Sequence, residues 1–491
     1  TIVTNGLGAG ERILVQKNWV DDSDTAHREP VEVTVYDAQT NGKIDSVILG
    51  DTAGESQDPV WYEWVALPED IKAADVYIRE TGIGAGGKVE LSQDADGSFR
   101  DKVTGENHTY EATYDSENVA NEIVWTVTNR RLGNVDLTVV KDWRDGNGEG
   151  VDALRTAMAG TGLTLAVKLE ISASDDAENP FRIYDDEQGN GHVTLGGEDV
   201  PIMDNKAQPV SSVQPILTAD EEYHEIYFHN LPKYDTNGTV VRYTVEEVWL
   251  HNGEEIALSE LQTISPDVYA LWSTYARSVE ETSYDANDGA LENDTQEITL
   301  TNTRTGVTDA VWYKEWHDVY MYEAGSRPDI YLDIYQTVHT SETETEAVTQ
   351  LIYPSYRWTD EGLLPPETEE PDAGGDAGGS EGEVSETPAE ASGDTAQQYV
   401  WQALLEDLPK YDAYGFEIVY SAVERTNVNA SEFDYAIAEY WWEGTRLGTR
   451  NEADKGSESA YTAHTTALTE QTKDYARYAL NAGGTFVNRL D

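Results

Sequence analysis

Three lysines, three glutamates and three asparagines recur along this chain in a fixed order. Lys17, Lys141 and Lys314 each stand two positions before a tryptophan, in Lys17-Asn18-Trp19, Lys141-Asp142-Trp143 and Lys314-Glu315-Trp316. Glu80, Glu247 and Glu424 close the runs Val76-Tyr77-Ile78-Arg79-Glu80, Tyr243-Thr244-Val245-Glu246-Glu247 and Tyr420-Ser421-Ala422-Val423-Glu424. Asn129, Asn302 and Asn488 end β-rich runs. Period-2 alternation puts all nine on apolar faces. Lys17 shares its face with Val15, Lys141 with Leu137 and Val139, and Lys314 with Trp312 and Trp316. Glu80 aligns with Val76 and Ile78, Glu247 with Tyr243 and Val245, Glu424 with Tyr420 and Ala422. The asparagines align with Trp125 and Val127, with Ile298 and Leu300, and with Phe486.

Lys and Glu are almost never fully buried without partners. Desolvation moves a buried Lys toward neutral amine and a buried Glu toward neutral acid. An amine beside a carboxamide, with a carboxylic acid to relay protons, is equipped for one reaction. The amine attacks the Asn side-chain carbonyl, Glu shuttles the proton, and ammonia leaves. Glu80, Glu247 and Glu424 would be the proton shuttles. Lys17–Asn129, Lys141–Asn302 and Lys314–Asn488 would be the cross-linked pairs. Such a step needs no cofactor or metal and turns over once, with proximity supplying most of the acceleration. A buried Lys–Glu ion pair with Asn as a hydrogen-bonding neighbour is the simpler alternative. Recurrence in three units favours the cross-link.

The elements that must position these groups are themselves repeated. Leu-Pro turns appear at Leu67-Pro68-Glu69-Asp70, Leu231-Pro232-Lys233-Tyr234-Asp235 and Leu408-Pro409-Lys410-Tyr411-Asp412. Asn129 to Lys141 and Asn302 to Lys314 are both twelve positions, as is Asn5 to Lys17. Residues 1–8 therefore read as the last strand of a preceding repeat, and the chain as a segment of a longer array. Domains are expected at 9–132, 133–306 and 307–491. Strand patterns such as Val31, Val33, Val35 and Ile330, Leu332, Ile334 dominate, and long amphipathic helical patterns are scarce. A short helix is expected over Asp152–Ala159. The fold class is all-β: tandem Ig-like β-sandwiches. Insertions account for unequal lengths, one at about 146–215 and an acidic low-complexity loop at about 362–397 that cannot bury enough apolar area to order itself.

On these residues the units resemble the CnaB-type domains of Gram-positive surface adhesins and pilins. The shared features are Lys-x-Trp, an Arg-Pro entry to the second strand (Arg327-Pro328, loosely Arg28-Glu29-Pro30), Leu-Pro-x-Tyr-Asp, Tyr-x-Val-x-Glu and the closing Thr-Asn. The resemblance implies small Ig-like sandwiches with a spontaneous Lys–Asn isopeptide bond aided by a buried acid. The second unit lacks the Arg-Pro entry, and the first has Val76 where the others have Tyr. Glu246 adjoins Glu247, so a one-residue slip would exchange their roles. Leu364-Pro365-Pro366-Glu367 only approaches a sortase signal, and a Tyr-Pro-Lys donor for joining subunits is missing. That favours a stalk over a backbone pilin.

The chain has 491 residues, a formal charge of −62 and no cysteine. Disulfide scaffolds, thiol nucleophiles and Cys-ligated zinc are excluded. So negative a surface repels phosphate backbones, so nucleic acid is not an expected partner. No apolar run reaches the ~18 residues of a membrane span. Thirteen Trp and 29 Tyr argue for a folded chain. Gly378-Gly379-Ser380-Glu381-Gly382 fits a nucleophile elbow formally but sits in low-complexity sequence. His224 and His229 have the wrong spacing for a helical zinc motif, and Asp145-Gly146-Asn147-Gly148-Glu149 reads as a turn rather than a calcium loop. Tyr440-Trp441-Trp442 is a candidate aromatic platform or, more simply, core. The expected function is a structural stalk of an extracellular, wall-associated adhesin or pilus-like protein, contacting neighbouring repeats of its own polypeptide. The alternative is an adhesin module that binds a host glycan or matrix protein through its insertions or its aromatic patches. Conventional multiple-turnover enzymology is not expected.

Overall fold

The computed structural model describes the whole chain except residues 1–10, 52–58, 173–180, 196–197, 205, 207, 210–222, 282–294, 319–326, 344, 367–399, 427–437, 451–455, 469–475 and 490–491. The expected leading strand at 1–8, residues 367–397 of the low-complexity loop expected at about 362–397 and the Gly378–Gly382 motif thus lie outside the described residues, while Gly362–Leu364 forms a strand paired with Ala347–Thr359. Among the described residues no helix is long and apolar enough to cross a membrane. The architecture is all-β, built from Ig-like sandwiches. By compactness the chain divides into two units. One comprises Thr1–Asp142, Met158–Ser265 and Ser278–Thr301; the other comprises Trp143–Ala157, Pro266–Arg277 and Asn302–Asp491.

In the first repeat, alternating β-branched residues give strand Arg12–Val20 one buried face, Ile13, Val15 and Lys17. This strand lies antiparallel to Tyr62–Ala66 and parallel to Glu122–Leu132, with Lys17 opposite Val127 and Trp19 opposite Asn129. Strands Thr109–Val119, Arg100–Thr104 and Lys88–Glu90 extend the same sheet. The facing sheet is Lys43–Leu49, Val31–Asp37 and Val76–Ile83, where Glu80 lies opposite Val33. Ile13, Val15, Val33, Ile78 and Val127 meet between the sheets.

The third repeat copies this plan. Val307–His317 runs antiparallel to Val400–Pro409 and parallel to Thr485–Arg489, with Trp316 opposite Asn488. Ile330–His339 and Val419–Thr426 lie in the facing sheet and set Glu424 opposite Leu332. The core there is more aromatic, with Trp312, Trp316, Trp358, Tyr440 and Phe486 all essentially buried. In the second repeat, strand Asn134–Arg144 lies between Tyr223–Pro232 and Thr295–Arg304. Arg242–His251 pairs with Leu163–Ser172 in the other sheet. Within the stretch expected as an insertion at about 146–215, Leu163–Ser172 is instead the counterpart of Val31–Asp37 and Ile330–His339, since each pairs with the glutamate strand of its repeat. The added elements are helix Glu149–Met158 and a three-stranded antiparallel sheet, Arg182–Asp185, Gly191–Leu195 and Glu198–Pro201.

Two recurring motifs are joined by one bond. Tyr243 Oη donates to the Pro232 carbonyl and Tyr420 Oη to the Pro409 carbonyl, each at 2.7 Å. The Tyr of Tyr-x-Val-x-Glu therefore holds the Leu-Pro turn. The first repeat has Val76 there and no hydroxyl to donate.

After each of those turns, Asp235 and Asp412 accept backbone N–H groups from the following loop. The loops close on Gly238 and Gly415, at φ +76° and +78°. A Cβ on Gly238 would collide with the Val20 backbone, and one on Gly415 with the Arg144 backbone. The turn of a later repeat is thus seated on the end of the Lys-x-Trp strand of the repeat before it.

Gly415→Ala is expected to combine left-handed backbone strain of about 1–2 kcal/mol with an overpacking cost of about 1–3 kcal/mol. Gly444→Ala, at φ +78° with nothing within 4 Å of a new Cβ, should show the strain alone. Urea denaturation of the two variants checks the difference.

Candidate functional site

Strand alternation delivers the nine landmark side chains inward. Lys17 (8% exposed), Glu80 (0%) and Asn129 (0%) come from three strands on two sheets. Lys17 Nζ donates to Glu80 Oε2 at 2.9 Å, and Asn129 Nδ2 donates to Glu80 Oε1 at 3.1 Å. In the third repeat Lys314 Nζ reaches Glu424 Oε2 at 2.6 Å, and Asn488 Nδ2 reaches Glu424 Oε1 at 2.7 Å. One carboxylate thus bridges amine and carboxamide in both repeats. Asn129 Oδ1 and Asn488 Oδ1 are buried with no hydrogen-bond partner.

The second repeat differs. Lys141 Nζ lies 3.3 Å from Glu247 Oε1 and also donates to the carbonyls of Leu300 (3.1 Å) and Asp142 (3.2 Å). Asn302 is buried on strand Thr295–Arg304, just past the boundary between the compact units. Glu246 is half exposed and pairs with Lys168, so the register assigns the buried role to Glu247.

Burial pulls each lysine down from its ordinary value to about 8, against the opposing pull of Glu80, Glu247 or Glu424. The tryptophan two positions on helps to seal the amine. The Trp19 ring lies 4.6 Å from Lys17 Nζ and packs edge-on to Trp61 and Tyr110. The Trp316 ring lies 4.8 Å from Lys314 Nζ and packs against Trp401. In the first repeat Tyr114 Oη accepts from the Glu80 backbone N–H at 2.9 Å. In the third, Arg450 donates to the Glu424 carbonyl at 2.7 Å.

Sequence reasoning missed a fourth recurring group. Asp21, Asp145 and Asp318 each stand four residues after the lysine and are 1%, 3% and 3% exposed. Asp21 takes a bidentate pair of bonds from Arg28 (2.8 and 2.7 Å), and Asp318 takes one from Arg327 (both 2.9 Å). That is the work of the Arg-Pro entry. The second repeat lacks that arginine. There Asp145 accepts from the Val151 N–H at 2.7 Å, at the start of helix Glu149–Met158, and pairs with Arg304 at 3.2 Å. The shared +4 spacing was the available signal.

Other candidates resolve simply. Tyr440 is wholly buried and donates to the Tyr478 carbonyl, while Trp442 stacks on His464 at 3.8 Å. The aromatic triplet therefore contributes core and edge packing. His229 pairs with Asp136 at 3.0 Å.

A family model described as the Cna protein B-type domain matches residues 183–260. That stretch is similar to a Cna B-type domain. The match spans the Leu-Pro-Lys-Tyr-Asp turn and Glu247 of the second repeat. No curated protein matches the chain. Among solved structures, it is similar to two B repeat units of the collagen binding protein of Staphylococcus aureus. Identity is 13%, coverage is 98% of this chain and 99% of that one, and the TM-score is 0.22. It is also similar to the pilus adhesin SpaC of Lactobacillus rhamnosus GG, at 11% identity, 99% and 44% coverage and TM-score 0.22. The major pilin of Streptococcus pyogenes matches at 13% identity, 61% and 99% coverage and TM-score 0.16.

In an Asn129→Ala chain, where Lys17 stays an amine, its lowered folded value means the unfolded state binds more protons between about pH 8 and 10.5. Stability due to this group must therefore rise as pH increases through that window. Urea midpoints at pH 8 and pH 10, compared with a Lys17→Met, Glu80→Gln, Asn129→Ala background, read the effect. Equal pH slopes in the two backgrounds would contradict a desolvated lysine.

Proposed function

We propose that this chain is a structural stalk segment of an extracellular surface protein of the adhesin or pilus kind, each repeat being closed by an autocatalytic Lys–Asn isopeptide bond. The observation that carries the reading is the bridging carboxylate of Glu80 and Glu424, each bonded at once to a buried amine and a buried carboxamide.

The chemistry balances without a co-reactant. The lysine ammonium gives a proton to the glutamate, leaving neutral amine and neutral acid in a site that disfavours charge. The amine nitrogen attacks Asn Cγ, and the acid hydrogen-bonds the developing oxyanion. The relayed protons leave with Nδ2 as ammonia, so one C–N bond forms as another breaks. An acceptor buried without a partner costs about 1–3 kcal/mol. Asn129 Oδ1 and Asn488 Oδ1 are such acceptors. Turning the carboxamide over brings that oxygen to the protonated glutamate and relieves the cost, which supports attack from this arrangement. Lys141 and Glu247 would supply the same amine and acid in the second repeat, with Asn302 the proposed acceptor. The enclosed, single-use geometry supports a self-modifying scaffold over an enzyme with an outside substrate. Neighbouring repeats of the same polypeptide are the assigned partners.

Intact-mass measurement tests this. Each bond removes ammonia, about 17 Da by the condensation stoichiometry, so three bonds leave a deficit of about 51 Da. Glu80→Gln, Glu247→Gln and Glu424→Gln are each expected to restore one increment. A chain of full calculated mass would refute the cross-links.

A further inference from the structure

Outside the lysine sites, one cluster of metal-ligating side chains stands out among the described residues: Asp24, His27 and His108 in the first repeat. Asp24 and His27 lie on the loop after strand Arg12–Val20, and His108 lies in the hairpin between Arg100–Thr104 and Thr109–Val119. His27 Nδ1 is 2.7 Å from Asp24 Oδ1, and His108 Nε2 is 3.3 Å from Asp24 Oδ2. The imidazoles meet edge to face with centroids 5.6 Å apart. One ligand atom from each residue lies within 4.8 Å of the others. Ligands at about 2.0–2.2 Å around one tetrahedral ion stand roughly 3.3 Å apart, so a small movement of the half-exposed His27 closes the set.

Arg131 donates to Asp24 Oδ2, fixing the carboxylate and leaving Oδ1 toward His27, the outer-shell support that ligating carboxylates receive. Of the three residues only His108 lines the adjoining cavity of about 530 Å³, together with Lys102, Arg130, Arg131 and Lys233. We propose that Asp24, His27 and His108 form a site for a divalent first-row transition ion of the zinc class. Two imidazoles and a single carboxylate select such ions over magnesium or calcium, which prefer all-oxygen shells. Three protein ligands leave the fourth position to water.

The ion has a structural consequence. Arg131 stacks over Tyr234 of the next repeat at 5.0 Å. The same contact recurs as Arg304 over Tyr411 at 4.4 Å, where Asp145 holds the arginine at 3.2 Å without the paired imidazoles. A metal on Asp24 therefore stiffens the anchor of Arg131 specifically in the first repeat. The proposal is independent of the isopeptide reading.

The test uses the full chain, titrated with Co²⁺ and followed by visible absorption, and with Zn²⁺ followed by calorimetry. One equimolar site is expected, with the intense d–d bands of four- or five-coordinate cobalt, above weak multi-site binding by surface carboxylates. His27→Ala and His108→Ala should each abolish the equimolar site and keep the weak background, with circular dichroism reporting their fold. If either variant misfolds, the cobalt spectrum of the unaltered chain decides alone. A spectrum of octahedral aqueous type, or an equimolar site that survives both substitutions, would overturn the assignment.

Discussion

A lysine amine inside a β-sandwich core is the constraint around which each repeat is organised. Moving an ammonium out of water costs several kcal/mol after relaxation, and removing its partner from a buried pair costs about 3–5 kcal/mol. Every repeat answers with a glutamate from the opposite sheet. Lys17 and Glu80 meet across 63 positions of sequence, and Lys314 and Glu424 across 110. The bond lengths are nonetheless 2.9 and 2.6 Å. Insertions have lengthened the loops while the two sheets that carry the pair have kept their registration. The tryptophan two positions on lies over the amine in the first and third repeats, which keeps water out and leaves the pair strongly coupled.

Much of this was legible in the sequence because strand periodicity is a binary code. A residue two, four or six positions from a core valine must share its face, and Lys17, Glu80, Asn129, Lys314, Glu424 and Asn488 all obeyed. The choice of Glu247 over Glu246 came from the same rule. Asp21, Asp145 and Asp318 were not legible in that way. They lie at or just past the strand ends, where alternation carries no information, and their arginines arrive from places no pattern links to them. Arg28 is seven residues after Asp21, while Arg304 reaches Asp145 from another strand. The Tyr243–Pro232 and Tyr420–Pro409 bonds were likewise visible as paired motifs but not as contacts, since spacing alone does not say which hydroxyl meets which carbonyl.

The charge of the chain sharpens the meaning of its few cations. With 94 acidic residues against 32 basic ones, an arginine that is buried is committed. Arg28 and Arg327 each fork onto one aspartate, and Arg79 onto Asp101. Arg131 and Arg304 instead divide themselves between an aspartate and the tyrosine of a following turn. The first repeat has Asp70 where the later ones have Tyr234 and Tyr411, and it also has Val76 where they have Tyr243 and Tyr420. Both losses fall on one turn, because the hydroxyl that braces the Leu-Pro segment and the ring that receives the arginine serve the same seating.

The strand order gives the proposed cross-link its mechanical logic. Arg12–Val20 enters the first repeat beside Glu122–Leu132, the strand that leaves it, and the two run parallel. Val307–His317 and Thr485–Arg489 repeat that relation. Force applied through the chain ends pulls two parallel neighbours in opposite directions, so their ladder is loaded in shear and its bonds must fail together rather than in sequence. Hydrogen bonds worth about 1 kcal/mol net each make such a ladder strong but finite. An amide between Lys17 and Asn129 would span these same two strands two positions apart in register. Tension entering at the first strand would then cross to the last through a covalent bond, and the intervening body of the repeat, with all its insertions, would lie outside the line of force. The position of the lysine on the first strand and of the asparagine on the last is what makes that bypass complete, since a link between any other pair of strands would leave part of the fold under load.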